Sequence, residues 1–333
     1  MCVSHFLVDF SCTCLLTLMI ERNRSLHPVL VALLYNGLAF AFQLPIGALA
    51  DAIGKSGAFA CAGCLMVALG CVLPFPVASC TLVGLGNAAF HIGGGKESLC
   101  LGGKRAGPVG AFVAPGAVGI FLGPLAAKLS PSFVYAGAAV LLLCAGLLFL
   151  SRSEASQPAP EKSKLPFWRL GLLISCMFFT VLLRSYTGSI LHYDFQSSFW
   201  GAALFVLCVF AGKFFGGIFA DTWGGFSFSL VSQTVCTALF VLSVFYPVCG
   251  LPAIFLFNTT MAITASALYR ALPRYSGTMF GLTTFALFLG IVPRLMGWRN
   301  VLFSWWGLLI LGLCSTAFLL GGLLLRQRED GEC

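Results

Sequence analysis

This chain contains few charged residues. Of its 333 residues, only 9% are Asp, Glu, Lys or Arg, whereas a soluble domain has about 25%. Hydrophobic residues make up 59% of the sequence. This scarcity of polar surface excludes an ordinary water-soluble domain and predicts an integral membrane protein. The net charge of +8 does not indicate nucleic-acid binding, because the bases lie in short breaks between apolar runs, where they set membrane orientation.

The sequence also lacks the pattern of a removable signal peptide and that of a phosphate-binding loop. The opening residues have no basic region and no small-residue cleavage site, so the first membrane helix is expected to begin almost at Met1. The glycine runs lack the preceding strand and the following Lys-Ser/Thr of a phosphate-binding loop, which excludes direct driving by ATP. The cysteines lie mostly inside apolar runs, where a free thiol behaves as a small hydrophobe. Neither a metal site nor a cofactor is expected, and a proton gradient is the expected energy source.

Twelve apolar runs have about the length of a membrane-spanning helix. They cover approximately residues 2–20, 28–50, 57–75, 78–95, 107–127, 131–151, 166–192, 198–220, 225–246, 248–269, 276–297 and 302–325. An even number of spans puts both termini on one side of the membrane. Placing the termini in the cytoplasm gives that side twelve bases and the other side four (Arg22, Arg24, Lys128 and Arg299). The positive-inside rule therefore predicts a multi-pass protein of the plasma or inner membrane with cytoplasmic termini.

A polar motif occurs twice, 170 residues apart. Gly47–Gly57 reads GALADAIGKSG, and Gly217–Gly225 reads GIFADTWGG. The repeat predicts an all-α membrane protein of twelve transmembrane helices in two pseudo-symmetric six-helix bundles. The predicted bundles cover residues 1–151 and 166–325, with a cytoplasmic linker at 152–165 and a cytoplasmic tail at 326–333. Two-halved transporters of this kind bind substrate between the halves and work by alternating access.

The repeated motif is interpreted as a conformational latch on the cytoplasmic side. Its acids, Asp51 and Asp221, can accept hydrogen bonds from the N-terminal amides of a facing helix, where the helix dipole favours an anion. The start of the eleventh run, near Ser276, is the expected partner of Asp51, and Gly107 that of Asp221. The alternative is a solvated loop whose acids have no role. The residues assigned to the latch are Gly47, Asp51, Gly54, Lys55, Gly217 and Asp221.

Ionisable residues inside the apolar runs are candidates for coupling. His5 and Asp9 are four residues apart, so they share one face of a helix. Asp9 is the one acid placed inside the membrane, which makes it the first candidate to carry a proton, with His5 and His91 as partners. The alternative is a structural pair, or a pair near the cytoplasmic end.

Substrate binding is assigned to basic and neutral polar residues of the spans. The guanidinium of Arg184 offers a planar fork for a carboxylate or a phosphonate, and Tyr186 follows it. An ion pair with Asp9, or snorkelling towards the interface, is the alternative for Arg184. Together with Lys213, the basic residues favour an anionic substrate unless they snorkel away. The remaining candidates for the substrate site are Arg294, Gln43 and Asn87.

Short motifs resemble a known family. Gly47–Lys55 looks like the loop signature of the major facilitator superfamily, although Ala52 stands where that signature usually has a base. Within the superfamily the chain is most similar to the fosmidomycin-resistance group, on the segments at Ser4–Asp9, Gly86–His91 and Leu183–Ser185, and to antiporters on the glycine-rich segment at Gly116–Pro124.

The resemblance implies a secondary transporter, a proton-coupled antiporter that exports a small, anionic compound or drug. An importer or facilitator of a metabolite such as an organic acid or sugar is the alternative on the same fold. An intramembrane enzyme or a channel is a remote alternative. The expected partners are the small-molecule substrate and the lipid bilayer, with no nucleic acid, and the expected state is a monomer that is not an enzyme.

Overall fold

The computed structural model describes residues 1–22, 27–151, 165–298 and 302–330, with side chains as far as Arg326. These residues form twelve helices joined by short turns. In chain order the helices are α1 Cys2–Arg22, α2 Pro28–Ile53, α3 Ser56–Val72, α4 Pro76–Gly102, α5 Gly107–Leu129, α6 Ser132–Ser151, α7 Phe167–Ile190, α8 Phe199–Trp223, α9 Gly225–Ser243, α10 Pro247–Ala271, α11 Ser276–Leu295 and α12 Trp305–Asp330.

Ten of these helices are long and apolar enough to cross a membrane. The other two are α3, which has 17 residues, and α4, which is long but carries the polar residues Asn87, His91, Lys96 and Glu97. The predictions of an all-helical chain and of a multi-pass membrane protein are therefore confirmed. The count of twelve spans stays a prediction.

The second helix is not a regular α-helix along its whole length. It begins with Pro28 in its first turn, contains a π-helical turn at Gly37–Ala41, and returns to α-helix at Gln43. It ends at Gly54, whose φ of 78° is left-handed, a conformation that glycine adopts without strain. Single π-helical turns within α-helices are rare and are often found at functional sites.

The tenth helix is interrupted at its centre. Its α-helical segments are Gly250–Asn258 and Thr260–Ala271, with a turn at Thr259 between them. The Asn258 amide donates to Ile254 O at 2.8 Å, and the Thr259 hydroxyl donates to Leu256 O at 2.6 Å. Side chains that bond to their own backbone in this way weaken and bend a helix.

The chain divides into two compact units. The first contains the described residues of Met1–Leu101, Pro115–Gln157 and Tyr275–Phe285. In this unit α3 packs along α6, and α1 contacts both helices. Its core includes buried side chains from α1, α4 and α6, namely Val8, Phe90 and Leu141.

The second unit contains the described residues of Gly102–Ala114, Pro158–Arg274 and Ala286–Cys333. Here α12 packs against α7 and α9, and α8 packs against α10. A buried cluster at one end includes Ile190, Phe240 and Tyr193. The Tyr193 hydroxyl shares a hydrogen bond of 2.8 Å with Ser243 Oγ, and burial raises the pKa of Tyr193 to about 12.

Some predicted features lie outside the described residues. They are most of the predicted linker at residues 152–164, with three of the bases used for the orientation (Arg152, Lys162 and Lys164), the last residues of the tail at 331–333, and two further bases used for the orientation, Arg24 and Arg299. The predicted boundaries of the two six-helix bundles stay predictions.

Candidate functional site

Three ionisable side chains converge inside the first unit. His5 and Asp9 lie one turn apart on α1, and His91 comes from α4; all three are more than 90% buried. His5 Nε2 lies 3.2 Å from Asp9 Oδ2 and 2.9 Å from His91 Nε2. His91 Nε2 lies 3.7 Å from Asp9 Oδ1. The structure therefore brings together the three residues assigned to proton coupling, which we call the His5–Asp9–His91 cluster.

Asn87 orients this cluster from one turn earlier on α4. Its amide donates to Asp9 Oδ1 at 3.0 Å, and its backbone carbonyl lies 2.9 Å from His91 Nδ1. A carbonyl can only accept, so His91 carries a proton on Nδ1, and Nε2 of the neutral ring is left as an acceptor. Asn87 was assigned to substrate binding from the sequence, and this role stays a prediction; in the structure Asn87 contacts Asp9 and His91 of the cluster.

Helix α5 approaches the cluster through Gly116. A Cβ atom built at this position would collide with Asp9 Oδ2 and lie 2.5 Å from His5 Nε2. At Gly119 a Cβ would collide with the backbone of Phe6 in the same way. The glycine-rich face of α5 therefore lets α1 come close enough for the cluster to lie directly against the α5 backbone.

A separate polar site lies in the second unit at Arg184. Its side chain is 6% exposed, and Nη1 donates to Thr260 Oγ1 at 3.1 Å. Thr260 is the first residue after the interruption in α10 and donates in turn to Phe257 O at 3.0 Å. No carboxylate in the described part of this unit forms an ion pair with Arg184. A buried cation is therefore oriented by a neutral hydroxyl.

The other residues assigned to substrate binding lie in different surroundings. Tyr186 is half-buried and packs against the apolar cluster around Tyr193. Gln43 is fully buried, and its amide donates to Ala39 O at 2.7 Å. Arg294 lies in the last turn of α11 and is exposed, as in the snorkelling alternative. Lys213, which was counted among the bases of the spans but not assigned to the substrate site, is half-buried on α8.

The first copy of the repeated motif contacts the start of α11. Asp51 Oδ1 accepts the backbone N–H of Gly277 at 2.9 Å, and Oδ2 accepts that of Thr278 at 2.8 Å. The Thr278 hydroxyl adds a third hydrogen bond to Oδ2 at 2.7 Å. Gly47 and Gly277 are in backbone contact, with no room for a Cβ on either residue. The contact expected from the sequence is present; its role as a latch stays a prediction.

A lysine that sequence reasoning did not assign to the latch completes this contact. Lys96 Nζ donates to Asp51 Oδ1 at 2.9 Å and to Ala50 O at 3.1 Å, and both charged side chains are buried. Lys55, the base assigned from the sequence, is exposed. The available signal was the Lys96-Glu97 pair, which was interpreted as the end of a membrane run.

The second copy of the motif makes the related contact with the start of α5. Asp221 Oδ1 accepts the backbone N–H of Ala106 at 2.7 Å, and Oδ2 accepts that of Gly107 at 2.8 Å. The next residue is Pro108, which has no N–H to donate. The Asp221 carboxylate therefore accepts hydrogen bonds from the two N–H groups before the proline. In the 170-residue repeat, this pair of donors lies one residue earlier than the pair that contacts Asp51.

The two contacts match along the whole repeat. Adding 170 to the residue numbers converts Gly47, Asp51 and Gly107 to Gly217, Asp221 and Gly277. The same offset converts Gly54 to Gly224, and both have a left-handed φ, of 78° and 82°. The position of Lys96 corresponds to Ser266. The geometry is therefore repeated, while the position of the buried lysine is occupied by a serine in the second copy.

No protein-family model matches the sequence, and no curated protein sequence matches it either. Solved structures do match over nearly the whole length. A variant of the Escherichia coli fucose:proton symporter FucP aligns over 97% of each chain, with a TM-score of 0.66 and 14% identity. FucP in its outward conformation aligns over 97% of this chain and 99% of its own, with a TM-score of 0.58 and 14% identity.

The human organic anion transporter TETRAN aligns over 97% of this chain and 96% of its own, with a TM-score of 0.67 and 18% identity. FucP is described as a major facilitator superfamily transporter. At these identities the likeness shows the fold. The chain has the fold of major facilitator superfamily transporters.

Proposed function

We propose that this protein is a secondary transporter of the major facilitator superfamily that works by alternating access. The observation that carries the proposal is the pair of matched contacts at Asp51 and Asp221. Each joins an acid of one sequence half to the first amides of a helix from the other half. Contacts of this kind can hold two halves together on one side and release them as the site opens.

The proposal includes the finer architecture expected from the sequence. Twelve spans form two six-helix bundles in a plasma or inner membrane, and the termini, the linker and both latches face the cytoplasm. The twelve helices and their positive-inside pattern support this arrangement. The structural neighbours are transporters rather than enzymes, which favours transport over an intramembrane enzyme. Membership of the fosmidomycin-resistance group stays a prediction.

The proposed substrate is a small organic anion that binds at Arg184. A buried cation is costly without a counter-charge, and the described part of its unit supplies only the Thr260 hydroxyl. A carboxylate or phosphonate would complete the site, because the guanidinium can bind either group with two parallel hydrogen bonds. The human neighbour is described as an organic anion transporter, which agrees with this substrate class.

The energy source in this proposal is an ion gradient, with the His5–Asp9–His91 cluster as the site of the coupling ion. The proton is the ion expected from the sequence, and export is the expected direction. Import on the same fold is the second candidate, because a fucose:proton symporter is among the structural neighbours.

Transport by the purified full-length protein in lipid vesicles tests the proposal. Ligands are first found by a thermal-shift screen of organic acids, phosphonates and common drugs. Flux of each stabilising compound is then measured with an imposed pH gradient of either sign. We expect saturable flux that accelerates with one sign of the gradient. Substrate movement in the direction opposite to the proton flow indicates export, and substrate movement in the same direction as the proton flow indicates import.

The Asp51→Asn, Asp221→Asn double variant, reconstituted at the same density, is compared with the wild type and should show reduced flux. It retains the volume of both side chains but removes the negative charge from both helix contacts. Flux that is equal in the double variant would contradict the alternating-access proposal, as would the absence of saturable flux for every stabilising compound.

A further inference from the structure

The His5–Asp9–His91 cluster has the composition and spacing of a metal site. Ligand atoms bound to one tetrahedral zinc-type ion about 2.1 Å away lie roughly 3.4 Å from one another. The separations here are 2.9 Å between the two Nε2 atoms, and 3.2 and 3.7 Å from these atoms to the two oxygens of Asp9. One ligand atom from each residue lies within 4.8 Å of the other two.

The surroundings of these ligand atoms also fit a metal. An imidazole that binds a metal usually donates its second N–H to a carbonyl or carboxylate, and a ligating carboxylate is itself hydrogen-bonded. His91 Nδ1 faces Asn87 O at 2.9 Å, and Asp9 Oδ1 accepts from the Asn87 amide at 3.0 Å. The residue that orders the cluster therefore supplies both outer contacts.

Gly116 lets the α5 backbone approach the ligand atoms. A Cβ at this position would collide with Asp9 Oδ2 and lie 2.5 Å from His5 Nε2, so a larger residue would displace two of the three ligands. The Asn87 side-chain oxygen is buried without a hydrogen-bond partner among the described residues. A water or hydroxyl group completing the coordination of an ion could donate to this oxygen.

We propose that the His5–Asp9–His91 cluster binds one divalent transition-metal ion of the zinc or cobalt type, through His5 Nε2, His91 Nε2 and the Asp9 carboxylate. The inference rests on the proposed function in taking the cluster as the ion site, and it names the class of ion accepted there. Two neutral imidazoles and one carboxylate leave the bound ion with a net charge of +1 (+2 − 1). A fourth, anionic or water ligand is therefore favoured.

The test is metal binding by the full-length protein, purified in detergent and stripped with a chelator. Zinc chloride alone is titrated by calorimetry, and cobalt chloride alone is followed by absorption. We expect one zinc per chain and cobalt bands in the visible range. An intense near-ultraviolet band from thiolate ligation should be absent, because the ligands are imidazole and carboxylate.

Variants locate the site. Asp9→Asn and His91→Gln should abolish stoichiometric binding, and Asn87→Ala should weaken it roughly 10- to 100-fold as an outer contact. The matched control is His27→Ala, which removes an exposed histidine from the same unit and should bind as the wild type does. Unchanged thermal unfolding temperatures without metal show that a variant is folded, and Asn87→Ala provides a second, milder probe of the site.

Two results would overturn the inference. One is the absence of stoichiometric zinc binding by the wild-type protein; the other is binding that persists in Asp9→Asn and His91→Gln. If zinc fails to bind while gradient-driven flux is present and depends on Asp9, the cluster binds protons only. The proposed transport function would then stand without the metal site.

Discussion

The Lys96 ammonium lies 2.9 Å from Asp51 Oδ1 and is buried together with it. Lys96 is on α4 and Asp51 is near the end of α2, so this ion pair is made by tertiary packing rather than within one motif. The residue that follows Asp51 is Ala52, which carries no charge. The base that accompanies the acid is therefore supplied from another helix.

Replacing Lys96 with Gln should weaken the contact between Asp51 and α11. The buried carboxylate would lose its charged donor and keep its three donors from Gly277 and Thr278. Hydrogen bonds to charged groups contribute about 1.5–3 kcal/mol, which corresponds to a 10- to 150-fold change in equilibrium. The measurement is the rate of maleimide labelling at Cys100, whose thiol lies 4.0 Å from Ser276 Oγ, followed by peptide mass spectrometry. We expect faster labelling.

Lys55→Gln is the matched control, because it removes an exposed lysine from the same motif. Its Cys100 labelling should equal that of the wild type. The role of Lys96 would be refuted by an unchanged rate in Lys96→Gln, or by an equal increase in Lys55→Gln.

Loss of Asp51 should reduce substrate flux more than loss of Asp221. Asp51 accepts from four donors, Gly277 N, Thr278 N, Thr278 Oγ1 and Lys96 Nζ. Asp221 accepts from two backbone N–H groups. Asp51→Asn should therefore reduce the initial rate of substrate flux at least about 10-fold, given the strength of charge-assisted hydrogen bonds. Asp221→Asn should reduce it less, and a larger loss in Asp221→Asn would refute this ranking.

Arg184 should be required for anion binding. In Arg184→Lys the planar fork is replaced by a single ammonium group, which cannot form two parallel hydrogen bonds to a carboxylate or phosphonate. We expect the thermal stabilisation by an anionic ligand to fall in Arg184→Lys and to vanish in Arg184→Ala. Arg294→Ala, which removes an exposed arginine, should retain it. Full stabilisation of Arg184→Ala would exclude this residue from the substrate site.

Adding one methyl group at Gly116 should disrupt the cluster. The new Cβ would meet Asp9 Oδ2 and His5 Nε2, and overpacking of this kind costs about 1–3 kcal/mol. Gly116→Ala should lower the thermal unfolding temperature and abolish gradient-driven flux.

Gly146→Ala is the matched control on α6, because a Cβ there has nothing within 4 Å. It should be neutral, or stabilising by up to about 1 kcal/mol, since Ala favours a helix over Gly. Equal unfolding temperatures for the two variants would contradict the predicted clash at Gly116.

Helices and the two motif contacts could be predicted from the sequence because they follow from local patterns. Long apolar runs locate the helices within a few residues, as for the run 107–127 and the helix Gly107–Leu129. The repeat at 170 residues identified Gly277 and Gly107 as the helix starts that face Asp51 and Asp221. A helix start with exposed amides is a local feature, and the repeat supplied its long-range partner.

The end of the fourth helix and the contacts within the cluster could not be predicted, because they depend on residues that are distant in the sequence. The fourth run was expected to end at residue 95, before Lys96 and Glu97, because charged residues usually leave the membrane. The helix continues to Gly102, since Lys96 pairs with Asp51 and Glu97 accepts a hydrogen bond from Ser56 at 2.6 Å. Likewise, His5 and His91 were identified as candidates, but their 2.9 Å contact depends on how α1 packs against α4.

The π-helical turn in α2 keeps one side of that helix continuous. Val31, Tyr35, Ala39, Gln43 and Gly47 are buried, at intervals of four residues. Four residues of a regular helix turn through about 400°, so four such steps would rotate the buried side by about 160°. The π-helical turn contains one extra residue, which offsets about 100° of that rotation. Removing one residue from Gly37–Ala41 would therefore turn Gly47 and Asp51 away from α11 while every side chain of the motif remained unchanged.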